Sequence, residues 1–93
     1  MSQYRAFYRT SDGDADYGFS FEEQSDGTWR AYIEQQPSYE GQATDAHSTH
    51  RLSDGDRKYV CWTQPLQSLT EAKQVAAAWA NKTQEYIRTG RTF

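Results

Sequence analysis

The tripeptide Ser-Asp-Gly occurs three times in this chain, at 11–13, 25–27 and 53–55, and the first and third copies run on to Asp14 and Asp56. An Asp side chain bonds its own backbone two residues on, and Gly takes a positive φ without steric cost. Asp-Gly between alternating segments is therefore a strong local signal for a β-hairpin. Three such signals commit the first two-thirds of the chain to antiparallel strands. The segments around them are dissimilar and unevenly spaced, so the tripeptides punctuate hairpins and do not mark a solenoid repeat.

The segments between the turns read as strands. Tyr4 to Arg9 is the first. Tyr17 to Glu23 is the second, with Tyr17, Phe19 and Phe21 on one face and Gly18, Ser20 and Glu22 on the other. Thr28 to Gln35 is the third, with Trp29, Ala31 and Ile33 opposed to Arg30, Tyr32 and Glu34. That alternation has the period of two that a half-buried strand requires. Ser48 to Leu52 reads as a short fourth strand and Arg57 to Thr63 as a fifth. Gln36 to His47, polar and containing Pro37 and Gly41, is the longest irregular segment expected.

The period changes after Pro65. Leu69, Ala72, Val75, Ala76, Trp79, Thr83, Tyr86 and Ile87 recur mostly at steps of three and four, as on the buried stripe of a helix. Ser68 and Glu71 have capping-box spacing, Gly90 sits where a left-handed C-cap belongs, and Arg88 suits the negative helix end. The helix is expected at Leu69–Thr89. Together these elements predict one α+β domain over residues 1–93: an antiparallel meander of four to five strands with one long C-terminal helix packed on one face. The aromatic stripes of strands two and three should meet Trp79 and Tyr86.

Composition decides what the core is made of. Leu, Ile, Val and Phe total eleven of 93 residues, below the roughly 20% at which a chain reads as disordered. Net charge is only −3, however, and fourteen residues are aromatic, whereas disordered chains are poor in rings. The core should be built from rings and alanines. A single cysteine, Cys61, excludes an internal disulfide and zinc sites of the four-cysteine or two-cysteine, two-histidine kinds. No apolar run approaches a membrane span. The expectation is a soluble cytoplasmic protein with no cofactor and no membrane association.

Candidate sites are few. Asp12, Asp14, Asp16 and Glu23 fall at positions 1, 3, 5 and 12 of an EF-hand calcium loop. Tyr17 stands where that loop needs Gly, and the flanks alternate like strands, so a solvated hairpin tip is the better reading. Asp45, His47 and His50 form D-x-H-x-x-H. On a strand, i and i+3 face opposite ways, so these ligands would converge only through a turn or short helix. No metal is assigned to either group. Cys61 lies within an aromatic and β-branched run, where a thiol behaves as a small hydrophobe. Nucleophile-elbow, Walker and dinucleotide-binding glycine patterns are absent, and the chain is read as a non-enzyme.

Charge is uneven along the chain. Residues 1–50 carry three Arg and nine acids, and residues 51–93 carry seven basic residues and four acids. The basic half supports an alternative reading as a nucleic-acid-binding domain through Arg51, Arg57, Lys58, Arg88 and Arg91. The segment LTEAKQVAAAW (69–79) following a sheet resembles the last helix of double-stranded RNA-binding domains. Sheet followed by helix also resembles the DNA-binding domain of plant ethylene-response factors. The chain departs from the first family in having Lys73 alone where that family clusters lysines. It departs from the second in having Arg30 alone among Glu22, Glu23 and Glu34 on strands two and three.

The leading expectation is a protein–protein interaction module, self-association included. A helix covers one face of a sheet, and Tyr59 and Trp62 alternate to opposite faces of strand five, so some of Phe7, Tyr32, Tyr59 and Trp62 must be exposed or lie at a contact. Phe7, Tyr32, Tyr59 and Trp62, with Arg5 and Arg9 beside Phe7, are the candidate partner-binding residues. Tyr, Trp and Arg are the residue types enriched at binding hot spots.

Overall fold

The computed structural model describes residues 2–93 and has the expected architecture, a five-stranded antiparallel sheet with one long C-terminal helix packed on one face. The strands are β1 (Gln3–Arg9), β2 (Asp16–Glu23), β3 (Trp29–Gln35), β4 (Arg51–Asp54) and β5 (Arg57–Val60). The helices are α1 (Ala46–Thr49) and α2 (Leu69–Thr89). The first two Ser-Asp-Gly tripeptides lie in hairpin turns, while in the third Ser53 and Asp54 end β4 and Gly55 turns with Asp56; Gly13, Gly27 and Gly55 have φ of 77°, 87° and 61°. The Asp26 carboxylate accepts from both the Thr28 N–H and its hydroxyl, which closes the β2–β3 turn.

Sheet order is β1-β2-β3-β5-β4. Chain order and spatial order agree through β3, and then the last hairpin docks with its second strand inward. Composition explains the inversion. β5 brings Val60, which is buried, and Tyr59, which pairs with Tyr32 on β3. β4 is Arg-Leu-Ser-Asp and tolerates the solvated edge.

The segment before β4 differs from the sequence expectation. Residues 46–49 form a single helical turn across the expected end of the irregular segment and start of the fourth strand, which begins at Arg51 and not at Ser48. Asp45 caps it by accepting from the Ser48 N–H, and His50 ends it in the left-handed region. Four residues are too few for a helical period to show in sequence. β5 likewise ends at Val60, three residues short of expectation, and the backbone N–H of Cys61 donates to the His50 carbonyl. The irregular segment also carries a core ring. Tyr39 is buried and packs edge-to-face on Tyr86, whose hydroxyl donates to the Ala43 carbonyl. Tyr86 thus anchors the loop, leaving Trp79 alone to meet the strand aromatics.

α2 matches its expected bounds. Ser68 accepts from the Glu71 N–H at the N-terminus, and the N–H of Gly90 (φ 74°) donates to the Tyr86 carbonyl at the C-terminus. Its buried stripe of Ala72, Val75, Ala76, Trp79 and Ala80 lies on Tyr17, Phe19, Phe21 and Ala31 of the sheet. The alanines let helix and sheet approach closely, and the rings fill what remains. No helix among the described residues is long and apolar enough to cross a membrane.

Candidate interaction surface

Strand alternation places Arg5, Phe7, Ser20, Glu22, Arg30, Tyr32, Tyr59, Leu52 and Asp54 on the face that α2 leaves open. The centre of this face is closed by its own side chains. The Arg57 guanidinium carbon lies 3.7 Å from the Tyr32 ring centroid, and that of Arg30 lies 4.3 Å from the Tyr59 centroid. Both arginines are anchored by acids. Arg57 pairs with Glu22 at 2.5 Å and Arg30 with Asp54 at 3.2 Å. The Tyr32 hydroxyl donates to Asp54 at 2.7 Å and accepts from Arg30 at 3.1 Å. Long cationic side chains can cover apolar surface while their heads stay polar. Tyr32 is consequently buried and Tyr59 half-buried, on a sheet face that no other element covers.

The electrostatics follow from these contacts. The hydrogen bonds that Arg57 donates hold the Glu22 carboxyl below the usual carboxylate range, with Ser20 adding a further donor. Burial pushes the Tyr32 phenol up, and its bond to Asp54 reinforces the shift. Tyr32→Phe removes the hydroxyl that bridges Asp54 and Arg30. A hydrogen bond to a charged group contributes about 1.5–3 kcal/mol. Arg30 still reaches Asp54 directly, so the lower end is expected, read as a fall in the urea midpoint with unchanged slope. An unchanged midpoint would mean that the Tyr32–Asp54–Arg30 bridge contributes nothing to stability.

The two ends of the sheet are not closed in this way. Phe7, on the edge strand β1, is 71% exposed. Its ring lies over Gly18, where an added Cβ would stand 3.0 Å from Phe7 Cε1. Arg5 and Arg9 flank it, paired with Glu34 at 3.3 Å and Asp16 at 3.0 Å. At the opposite end Trp62 is 46% and Leu52 41% exposed, and both line a groove of about 280 Å³ with Tyr59 and Pro65. Trp62 also walls a cleft of about 230 Å³ with His50, Cys61, Trp79, Lys82 and Phe93. Of the four aromatic candidates, then, Phe7 and Trp62 are exposed and lie at opposite ends, while Tyr32 and Tyr59 lie between them under arginines. Tyr4, 46% exposed on the helix side of β1 beneath the Lys73 ammonium, belongs to the same edge as Phe7. Sequence alternation separates it from Phe7 by face and gives no sign that the strand is an edge.

The basic residues of the C-terminal half are dispersed. Arg57 lies on the open face against Glu22. Arg51 points to the helix side, over the Tyr39 ring and hydrogen-bonded to Gln36, and Lys58 donates to Ser53. Arg88 and Arg91, near the end of α2, pair with Asp12 and Glu85. Arg57 and Arg88 thus meet acids of the first half, Arg91 meets one of its own half, and Arg51 and Lys58 bond neutral groups.

The acidic and histidine groups are also engaged. Asp12 accepts from the Thr10 hydroxyl and the Asp14 N–H, while Asp16 pairs with Arg9. His47 and His50 do come onto one short helical turn, with ring centroids 6.5 Å apart. Asp45 is turned to its N-cap bond instead, and the His50 ring stacks on Phe93, whose main-chain oxygen contacts Nε2. Among the described residues, no group of three or more His, Cys, Asp or Glu is arranged to hold a metal ion. No protein-family profile, curated protein or solved structure matches the chain.

Proposed function

We propose that this chain is a non-catalytic protein–protein interaction domain that makes its contact through the β1 edge of the open sheet face, with Phe7 as the anchor. One observation carries the reading. A Phe ring 71% exposed lies on an unpaired edge strand, between two arginines, on a sheet whose other open-face rings are covered. A large ring seated over Gly18 of its own sheet loses little freedom on being covered, and a flanking Arg adds a donor fork at the rim. Trp62 forms a second exposed point at the far end. The basic side chains of the alternative, nucleic-acid reading are already paired or hydrogen-bonded within the fold, which favours protein contact over a phosphate backbone. The reducing cytoplasm suits the half-buried free thiol of Cys61.

Phe7→Ser and Trp62→Ser test the reading. Both rings are solvated, so far-UV circular dichroism and the melting midpoint should stay close to those of the parent chain. Sedimentation over a range of concentrations and recovery of any co-purified protein should both fall for Phe7→Ser, with a smaller effect for Trp62→Ser. Association unchanged in both variants would remove the reading's support.

A further inference from the structure

We propose that the occupant of the β1 edge is a second copy of this chain, paired antiparallel through β1 about a two-fold axis at Ala6, so that two five-stranded sheets become one. This rests on the contact role proposed above for the Phe7 edge and names its partner.

The backbone of β1 is set for such pairing. The Glu23 N–H donates to the Ser2 carbonyl and the Thr10 N–H to the Ala15 carbonyl, each at 2.9 Å. These two pairs frame the β1–β2 ladder, in which Gln3 lies opposite Glu22 and Arg9 opposite Asp16. Hydrogen-bonded and non-bonded pairs alternate along an antiparallel ladder. Tyr4, Ala6 and Tyr8 therefore turn their N–H and C=O groups toward β2. Gln3, Arg5, Phe7 and Arg9 turn theirs to the free edge. That edge has no proline or bulge within the strand, and its charged side chains, Arg5 and Arg9, are each neutralised by an acid of its own sheet, Glu34 and Asp16. The opposite edge, β4, is only four residues long and ends in Asp54.

Side chains then choose the register. A two-fold axis normal to the sheet keeps faces matched only if it passes through a residue. Centred on Arg5 it opposes Arg5 to itself, and centred on Phe7 it opposes Arg5 to Arg9. Like charges directly opposite are destabilising. Centred on Ala6 it pairs all seven residues of Gln3–Arg9. Arg5 then meets the second copy's Phe7 ring as a cation over an aromatic face, Tyr4 meets Tyr8, and Gln3 meets Arg9. The four outward-turned residues of each strand form about eight main-chain hydrogen bonds. Ala6 faces its own counterpart as a non-bonded pair, with Cα atoms about 4.5 Å apart. A strip one strand wide lies at the small end of interface sizes, so the dimer is concentration dependent.

The test combines mass measurement with one cross-link. Light scattering and sedimentation should show a monomer–dimer equilibrium. In a Cys61→Ser background, Ala6→Cys should oxidise to a covalent dimer under mild conditions, since that separation suits a disulfide. Arg5→Pro removes an outward N–H and no β1–β2 bond, and should weaken the dimer roughly tenfold or more. Phe7→Lys places a cation opposite Arg5 and should do the same, with an unchanged circular dichroism spectrum as the fold control. A parent chain still monomeric at about 1 mM, a dimer that Ala6→Cys does not cross-link, or Arg5→Pro and Phe7→Lys variants that fold and dimerise like the parent would each overturn the pairing. A chain that is monomeric alone yet holds a different protein through Phe7 overturns the dimer and leaves the contact role standing.

Discussion

Trp79→Ala is expected to cost about 3–5 kcal/mol, the range for truncating a large buried ring. Total stabilities of small domains are roughly 5–15 kcal/mol, so much of the folding free energy would go with one side chain. At roughly 4–8 °C per kcal/mol for a domain of this size, the melting midpoint should fall by about 12–40 °C. Trp79 is 1% exposed, and its ring stands edge-on to Tyr17 at 5.7 Å and Phe19 at 6.1 Å. Few aliphatic neighbours exist to collapse into the space, because this core holds Val60, Leu66 and Val75 where a larger domain would have many. The indole N–H also donates to the Thr49 carbonyl at 3.0 Å, tying α1 to α2. Trp79→Phe separates the two roles. It keeps an aromatic contact but leaves the Thr49 carbonyl without its partner, and should cost about 1–3 kcal/mol. The loss should be accompanied by faster amide exchange in residues 46–49. If Trp79→Ala melts within a few degrees of the parent, the helix and sheet are held by something other than this ring.

The same ring shows how far the sequence can be read. Local chemistry announces the hairpins and the long helix. Asp-Gly closes a turn over two or three residues, and Ser68 accepts from the Glu71 N–H while the Glu71 carboxylate accepts from the Gln67 N–H, so the signals are complete within short windows. Trp79 is visible as core because it lies on a stripe that repeats over many turns. Other features depend on partners far away in the chain. α1 is one turn long and is held by Asp45 at one end and Trp79 from the side. The order of β4 and β5 follows from which strand of a hairpin can offer Val60 and Tyr59 to β3, a comparison no local window contains. Tyr39 lies in a polar stretch and is buried only because Tyr86 and Arg51 arrive over it.

Alternation is equally partial as a guide to the candidate surface. It places Phe7, Tyr32 and Tyr59 on the sheet face opposite the helix, and they are there. It cannot say that Arg57 and Arg30, anchored by Glu22 and Asp54, will lie across two of those rings. A charged residue on a sheet face reads as solvated until its counter-ion is known. The contact surface is therefore smaller than a count of open-face aromatics suggests, and it is concentrated at β1. The basic half of the chain is likewise dispersed: acids of the first half take Arg57 and Arg88, and the other cations bond within their own surroundings.

Alkaline pH should unfold the protein steeply, because its buried phenols resist ionisation. Burial is the largest influence raising Tyr17, Tyr32 and Tyr39 above the ordinary tyrosine value of 10.0. The neighbouring charge of Asp12 adds to the shift at Tyr17, whose hydroxyl donates to Gln84 at 2.8 Å in the neutral form. The sign follows from proton counting. In this fold the protonated phenol is favoured, so its contribution is fully present below the unfolded value. It is lost as pH rises above 10, where the unfolded chain binds fewer protons than the native one. Each such phenol steepens the decline by up to about 1.4 kcal/mol per pH unit. The phenolate absorbance of Tyr17, Tyr32 and Tyr39 should appear only above pH 10, together with loss of circular dichroism. Tyr17→Phe should be about 1 kcal/mol less stable at neutral pH for want of the Gln84 bond, yet lose stability less steeply above pH 10 by one proton. Tyr17, Tyr32 and Tyr39 ionising near 10 with circular dichroism intact would contradict a fold that favours their protonated phenols.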